Sequence, residues 1–251
     1  MLLIATALAE ELETALNLCS RVTKTRIAGI PVWTGVSGKT EIHMVKLGMG
    51  PRRSASTLGR AIAALNPERA LIAGYAGALD PGLKIGDLIA VKEARLFLEE
   101  TWGAPLGELG FGAPQLLAGT DQLVATGRSA GVEMHSGTAL TMPCVVGAPE
   151  HKRMLFERFR AAIVDMETAA LAAVADRAGV PLHCVRAISD EADDDFLASF
   201  SYHPGLHPLQ RAAKTVAAGR WLRRYSDWRE RSRSARHNLT RFLASYLEID
   251  T

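Results

Sequence analysis

Residues 51–73 read PRRSASTLGRAIAALNPERALIA, and the order of elements in this stretch repeats along the chain. Pro51 suits the first turn of a helix, where its missing N–H costs nothing. Small apolar residues fill the body from Ser54 to Leu65, and Asn66-Pro67 ends it. A short β-type run, Ala70–Ala73, follows at once. The spacing predicts a helix over 51–65 leading into a buried strand.

The same alternation extends in both directions. Strands are expected at Leu2–Thr6, Ile42–Leu47, Asp87–Glu93 and His183–Ser189, and helices at Glu10–Leu18 and Met166–Ala178. Such an order predicts an α/β domain with a mostly parallel sheet covered by helices on both faces. Phe97 to Gly119, rich in Gly and Pro, reads as a long surface excursion. No repeat or composition break divides the chain, so residues 1–251 are expected to form a single domain. At 251 residues and 48% hydrophobic, they are enough to bury a sizeable core.

A formal net charge of +2 gives no overall bias toward nucleic acid or membrane. Cys19, Cys144 and Cys184 lie far apart without a CxxC pair, which speaks against a zinc site or disulfide framework and for a reducing, cytoplasmic setting. The opening MLLIATALAEE has no basic leader and an apolar run too short to span a bilayer, so it reads as a buried first strand. The tail differs in character. Residues 211–241 hold ten Lys/Arg and two acids. Within it Trp221, Tyr225, Trp228, Ser232, Ala235, Leu239, Phe242 and Tyr246 recur at helical steps. Residues 211–249 are therefore expected to form a basic helical extension. A seam packed on its own domain or on a dimer partner is favoured over peripheral contact with an anionic membrane.

Three glycine clusters, Gly48–Gly50, Gly74–Gly77 and Gly82–Gly86, are expected to turn the chain after strands. None completes a GxGxxG dinucleotide fingerprint or a GxxxxGK[ST] phosphate loop. Carboxylates are more telling, because ligands of open α/β sheets gather at the carboxyl ends of strands. Glu10 and Glu11 follow the first strand, and Asp165 and Glu167 enter a helix. Asp190 ends the strand HCVRAIS and begins a run of five acids in six positions. Each group has a bland reading as a helix-end charge or a solvated loop. Their common place at strand ends favours a functional one.

At these residues the chain resembles the nucleoside phosphorylase and nucleosidase superfamily, most of all its methylthioadenosine/S-adenosylhomocysteine nucleosidase branch. The resemblance rests on ALAEEL, LGMG, AGYAGALDPGLKIGD, SGTAL, VDMETAAL and VPLHCVRAISDEAD, in that order. It implies a three-layer α/β domain with a central mixed sheet, cleaving the N-glycosidic bond of a purine nucleoside without cofactor or metal. By the same resemblance Asp190 protonates the purine leaving group, and Glu11 (or Glu10, one register away) orients the attacking water. Met166 packs on the ligand, and Glu167 accepts from the ribose hydroxyls. Tyr75, Ala76, Gly77, Leu140, Thr141 and Ser189 complete the expected binding set. A 5′-modified adenosine and a homodimer are implied as substrate and assembly.

Two departures stand out: Tyr75 replaces a small serine, and Leu140 replaces a purine-stacking aromatic. The acidic, arginine-free turn Ala9-Glu10-Glu11 would repel a phosphate dianion, which favours water over phosphate as nucleophile. Arg52 and Arg53 are the nearby basic pair that could rescue phosphate, so a phosphorylase remains the alternative. A non-catalytic nucleoside-binding module is the other. The tail has a weaker similarity to hopanoid-associated members, which act on a lipid-linked adenosyl group.

Overall fold

The computed structural model describes residues 1–101, 104, 108–195, 230 and 232–249. Its strands are β1 (Leu2–Thr6), β2 (Ser20–Ile27), β3 (Ile30–Ser37), β4 (Thr40–Lys46), β5 (Arg69–Ala78), β6 (Leu88–Leu96), β7 (Gln115–Leu116), β8 (Met134–Thr141), β9 (Ile163–Asp165) and β10 (Leu182–Asp190). The helices are α1 (Ala9–Leu16), α2 (Pro51–Leu65), α3 (Thr120–Ser129), α4 (Pro149–Phe159), α5 (Thr168–Arg177) and α6 (Arg233–Ile249). The expected β1 and α2 coincide with the observed ones, and α2 stops where Asn66 takes the left-handed conformation (φ 46°).

All ten strands join one mixed sheet. Its middle is parallel: β1 lies between β4 and β5, and β5 pairs with β10. At one end the sheet closes on itself, because β5, β9, β8, β6 and β10 pair in a ring. At the other end β2, β3 and β4 form an antiparallel meander. The β2–β3 turn puts Ala28 (φ 48°) and Gly29 (φ 76°) both in the left-handed region, the two-residue geometry that matches strand twist.

Helices cover both faces of the sheet, as its alternating sequence predicts. One core, under α2 and α5, contains Leu58, Ala61, Leu171 and Ala175 against Leu3, Ile72 and Cys184. On the opposite face Leu12 and Leu123 join Ala235, Leu239, Phe242 and Tyr246 against Ile4, Leu71 and Val185. The described part of the C-terminal seam is thus buried in its own domain, as favoured above. Tyr246 Oη lies 2.9 Å from His183 Nδ1, and Asn238 donates to the Gly86 carbonyl. Trp221, Tyr225 and Trp228 lie outside the described residues.

Two expectations need correction. Gly74–Gly77 is not a turn after a strand: it lies inside β5, which runs on to Ala78. Residues 97–119 are not only a surface excursion either. Phe97 and Leu109 are buried, and Phe97, Phe111 and Phe159 meet edge to face in a third core with Leu140 and Val164. The sparse aromatics of that stretch anchor it where no periodicity announces them.

Candidate active site

Two neighbouring strands, β5 and β10, position the carboxylates. Their register sets Arg186 opposite Gly74 and Asp190 opposite Gly77, with an irregularity between Ile188 and Asp190. The two β5 positions are three residues apart, so their backbones stand roughly 10 Å apart along the strand at about 3.3 Å per residue.

At the Gly74 end, Glu11 turns inward from α1 and is 2% exposed, whereas Glu10 is half-buried. Glu11 Oε2 accepts from the N–H groups of Ala7 and Leu8, both at 2.8 Å, and Oε1 accepts from the Tyr75 N–H at 3.0 Å. Burial raises its pKa against the opposing pull of Arg186 and those N–H groups. Gly74 makes this approach possible. A Cβ there would lie 2.6 Å from Arg186 Nη1 and 2.7 Å from Glu11 Oε1.

Arg186 is the cation at this end. It is fully buried, with Nη2 2.7 Å from Asp165 Oδ2 and 3.7 Å from Glu167 Oε2, while Nε donates to Thr168 Oγ1. Burial alone would lower its pKa, but the surrounding anions outweigh that and raise it. Its Nη1 is buried without a hydrogen-bond partner among the described residues. The arginine-free first turn therefore does not leave Glu11 without a matching cation. The cation comes from within the apolar strand β10 rather than from the first turn. Arg52 pairs instead with exposed Glu99.

Glu167 stands at the start of α5, and its Oε1 accepts from the Gly50 N–H at 2.9 Å. Gly50 adopts φ 91°, a conformation that glycine takes without strain. Burial pushes the Glu167 carboxyl up to about 7, with Arg186 opposing and Asp165 adding to the rise. Asp165 is spent on structure. It accepts from Thr141 Oγ1 (2.7 Å), from the Thr168 hydroxyl and N–H, and from Arg186, so it caps α5 and anchors the guanidinium. Met166 is half-buried between the two acids.

At the Gly77 end, Asp190 is 3% exposed. Its Oδ1 lies 2.8 Å from Ser189 Oγ, which is also 3.3 Å from the Ala76 carbonyl. Its Oδ2 lies 2.5 Å from the ammonium of Lys152, a residue of α4 with no solvent exposure. Nothing in the run PEHKRMLFERF marks Lys152 for this place, since its partner lies 38 residues further along the chain. The remaining acids of the run behave as a loop: Glu191 pairs with Lys84, and Asp193 and Asp195 are exposed.

The structure thus brings Glu11, Glu167 and Tyr75 together at one end, and Ala76, Gly77, Ser189 and Asp190 at the other. Leu140 and Thr141 are occupied within the fold. Leu140 is buried in the third core, and Thr141 Oγ1 also accepts from the Ala169 N–H. The Tyr75 ring packs toward the core under α6. Arg186 and Lys152 are the site residues that sequence reasoning missed. An arginine in the middle of the apolar run HCVRAIS was the available signal for the first.

Known proteins share the sequence pattern and the fold of this chain. A 5′-methylthioadenosine/S-adenosylhomocysteine nucleosidase of Glaesserella parasuis is 29% identical over 202 residues, covering 77% of this chain and 87% of that protein. Among solved structures, Helicobacter pylori MTAN is 26% identical with a TM-score of 0.65, over 75% of this chain and 88% of that one. The futalosine hydrolase of Helicobacter pylori, at 22% identity, shares the fold with a TM-score of 0.74 over 100% and 97% of the two chains. The model of the phosphorylase superfamily matches residues 2–218, and the chain belongs to that family.

Proposed function

We propose that this protein is a purine nucleosidase that hydrolyses the N-glycosidic bond of a 5′-modified adenosine. One observation carries the reading: a buried Glu11–Arg186–Glu167 group and the buried Asp190 gather at two nearby positions of the same strand pair. Breaking C1′–N9 sends the bonding electrons to the purine and leaves positive charge on the ribose. Asp190 delivers a proton to N7, and the neutralised purine departs. Glu167 accepts from the ribose hydroxyls and stabilises the developing cation. Water held at Glu11 and Arg186 Nη1 adds to C1′, and Glu11 takes its proton. A carboxyl whose pKa is raised by burial is suited to that role. Met166, Tyr75, Ala76, Gly77 and Ser189 are the residues proposed to line the nucleoside, with Leu140 and Thr141 buried behind them.

The unpartnered Nη1 of Arg186 favours one second reading, phosphorolysis, since it would also receive a phosphate oxygen. Against it, Glu11, Asp165 and Glu167 surround that single guanidinium, and a dianion adds to their repulsion. Incubating the full chain with 5′-methylthioadenosine and a panel of 5′-substituted adenosines tests both. Purine and free sugar in phosphate-free buffer are expected. Strict phosphate dependence with a sugar 1-phosphate would make it a phosphorylase, and binding without base release a nucleoside-binding module.

A single domain, a homodimer and a cytoplasmic setting belong to the same proposal. The packing of α6 on the domain core supports the first, and three free cysteines support a reducing compartment. Sedimentation of the full chain tests the assembly.

A further inference from the structure

A buried lysine beside the acid has no part in the mechanism above. Lys152 sits one turn into α4, whose N-terminal end carries the positive pole of the helix dipole, and it is wholly buried. Both features work against an ammonium there, and an apolar side chain of similar length would cost less. What holds it is Asp190 Oδ2 at 2.5 Å and the Glu191 carbonyl at 2.6 Å. The Ser189 hydroxyl, 2.8 Å from Oδ1, has one proton to give, and the carboxylate is its nearer acceptor. Each oxygen of Asp190 therefore faces a donor. Lys152 and Asp190 thus form a buried ion pair, and the mobile protons nearest to the carboxylate are those on the lysine.

We propose that Lys152 is the positioning residue that holds the proton which Asp190 delivers to the purine. The inference rests on the nucleosidase reading and extends it. As the C1′–N9 bond breaks and its electron pair moves onto the purine, N7 takes a proton from Asp190, and Asp190 Oδ2 takes one from the Lys152 ammonium. The pair ends as aspartate and neutral amine; once the products leave, the amine takes a proton from solvent and Glu11 returns the proton of the attacking water to solvent, so the cycle balances. Other charged groups near the pair are already matched. The Glu191 carboxylate is paired with Lys84, and Asp194 accepts from the Glu191 N–H. On α4 itself Glu150 is exposed and His151 half-buried.

The test measures kcat and KM for purine release from 5′-methylthioadenosine against pH, in the full chain and in Lys152→Met and Lys152→Arg. Arginine keeps the charge but does not yield its proton. A proton-holding lysine predicts that the wild type stays active above neutral pH. Both variants then lose kcat by roughly 100-fold at alkaline pH, with KM nearly unchanged, because general acid–base groups contribute about that much. Their alkaline limbs move to lower pH by at least one unit. An upward move in Lys152→Met would show that the lysine acts only as a charge. Full rescue by arginine, or an unchanged limb in both variants, would likewise overturn the proposal. If neither variant folds, the wild-type profile decides: activity already lost between weakly acidic and neutral pH is incompatible with it. Absence of purine release at every pH would remove the nucleosidase reading as well, whereas an active enzyme with the wrong profile removes this inference alone.

Discussion

Gly77 and Asp190 face each other so closely that a β-carbon on Gly77 would lie 2.8 Å from Asp190 Oδ2. The same oxygen holds the Lys152 ammonium, so the space above Gly77 belongs to the acid. Gly77→Ala is expected to displace the carboxylate and lower kcat about 100-fold, the range of a lost general acid. Its backbone suits alanine, so folding should suffer only the ~1–3 kcal/mol typical of overpacking. Steady-state kinetics beside thermal denaturation would check both parts.

Asp190→Asn removes the carboxyl that passes the proton to the purine and keeps the shape. Turnover is expected to fall by about 100-fold or more while nucleoside binding persists. Calorimetric titration of the variant would measure the binding, and near-wild-type turnover would mean that another group is the acid.

Arg186 is enclosed by Asp165, Glu167 and Glu11 with no exposure. Arg186→Met strands those carboxylates, and breaking such a buried pair costs about 3–5 kcal/mol. A large drop in denaturant midpoint is expected, together with loss of activity.

The raised carboxyl of Glu167 gives stability a pH dependence of known sign. A group whose pKa rises on folding, here from 4.5 to about 7, stabilises the fold below its ordinary value, and that contribution disappears as pH climbs through about 7. Glu167→Gln keeps the acceptor for the Gly50 N–H and cannot ionise. The difference in Tm between variant and wild type should therefore shift in favour of the variant between about pH 5 and about pH 8.

Phe242 of α6 is completely buried beside Tyr246, with ring centroids 5.8 Å apart. Phe242→Ala should cost about 3–5 kcal/mol, as large cavities do, although the residue lies outside the proposed chemistry. Denaturant unfolding would measure it.

The sequence disclosed elements whose own chemistry marks their ends. Pro51 and Asn66-Pro67 bracket α2, and the switch from apolar run to acids marks the end of β10 at Asp190. It was silent where a partner far along the chain decides. The strand β2, SRVTKTRI, is exposed along seven of its eight residues, so no burial pattern reveals it, and its tight turn uses Ala28 rather than an asparagine. Gly74 and Gly77 look like turn residues until Arg186, Glu11 and Asp190 are seen to need the room. Glu11, Glu167 and Asp190 were readable as strand-end acids, and of the two cations that balance them only Arg186 left a signal, a charge inside an apolar run. Lys152 reads locally as one more charge on a polar helix.

The three-residue interval from Gly74 to Gly77 makes the site a ruler. Both glycines lie on one strand that is hydrogen-bonded to the same neighbour at both marks, so the spacing of the room they leave follows the pitch of the backbone. Adding or removing one residue would change that spacing by a third. Such a gauge cannot be adjusted by degrees. On the nucleosidase reading proposed above, substrates that fit this gauge differ in what extends beyond the ribose and the purine.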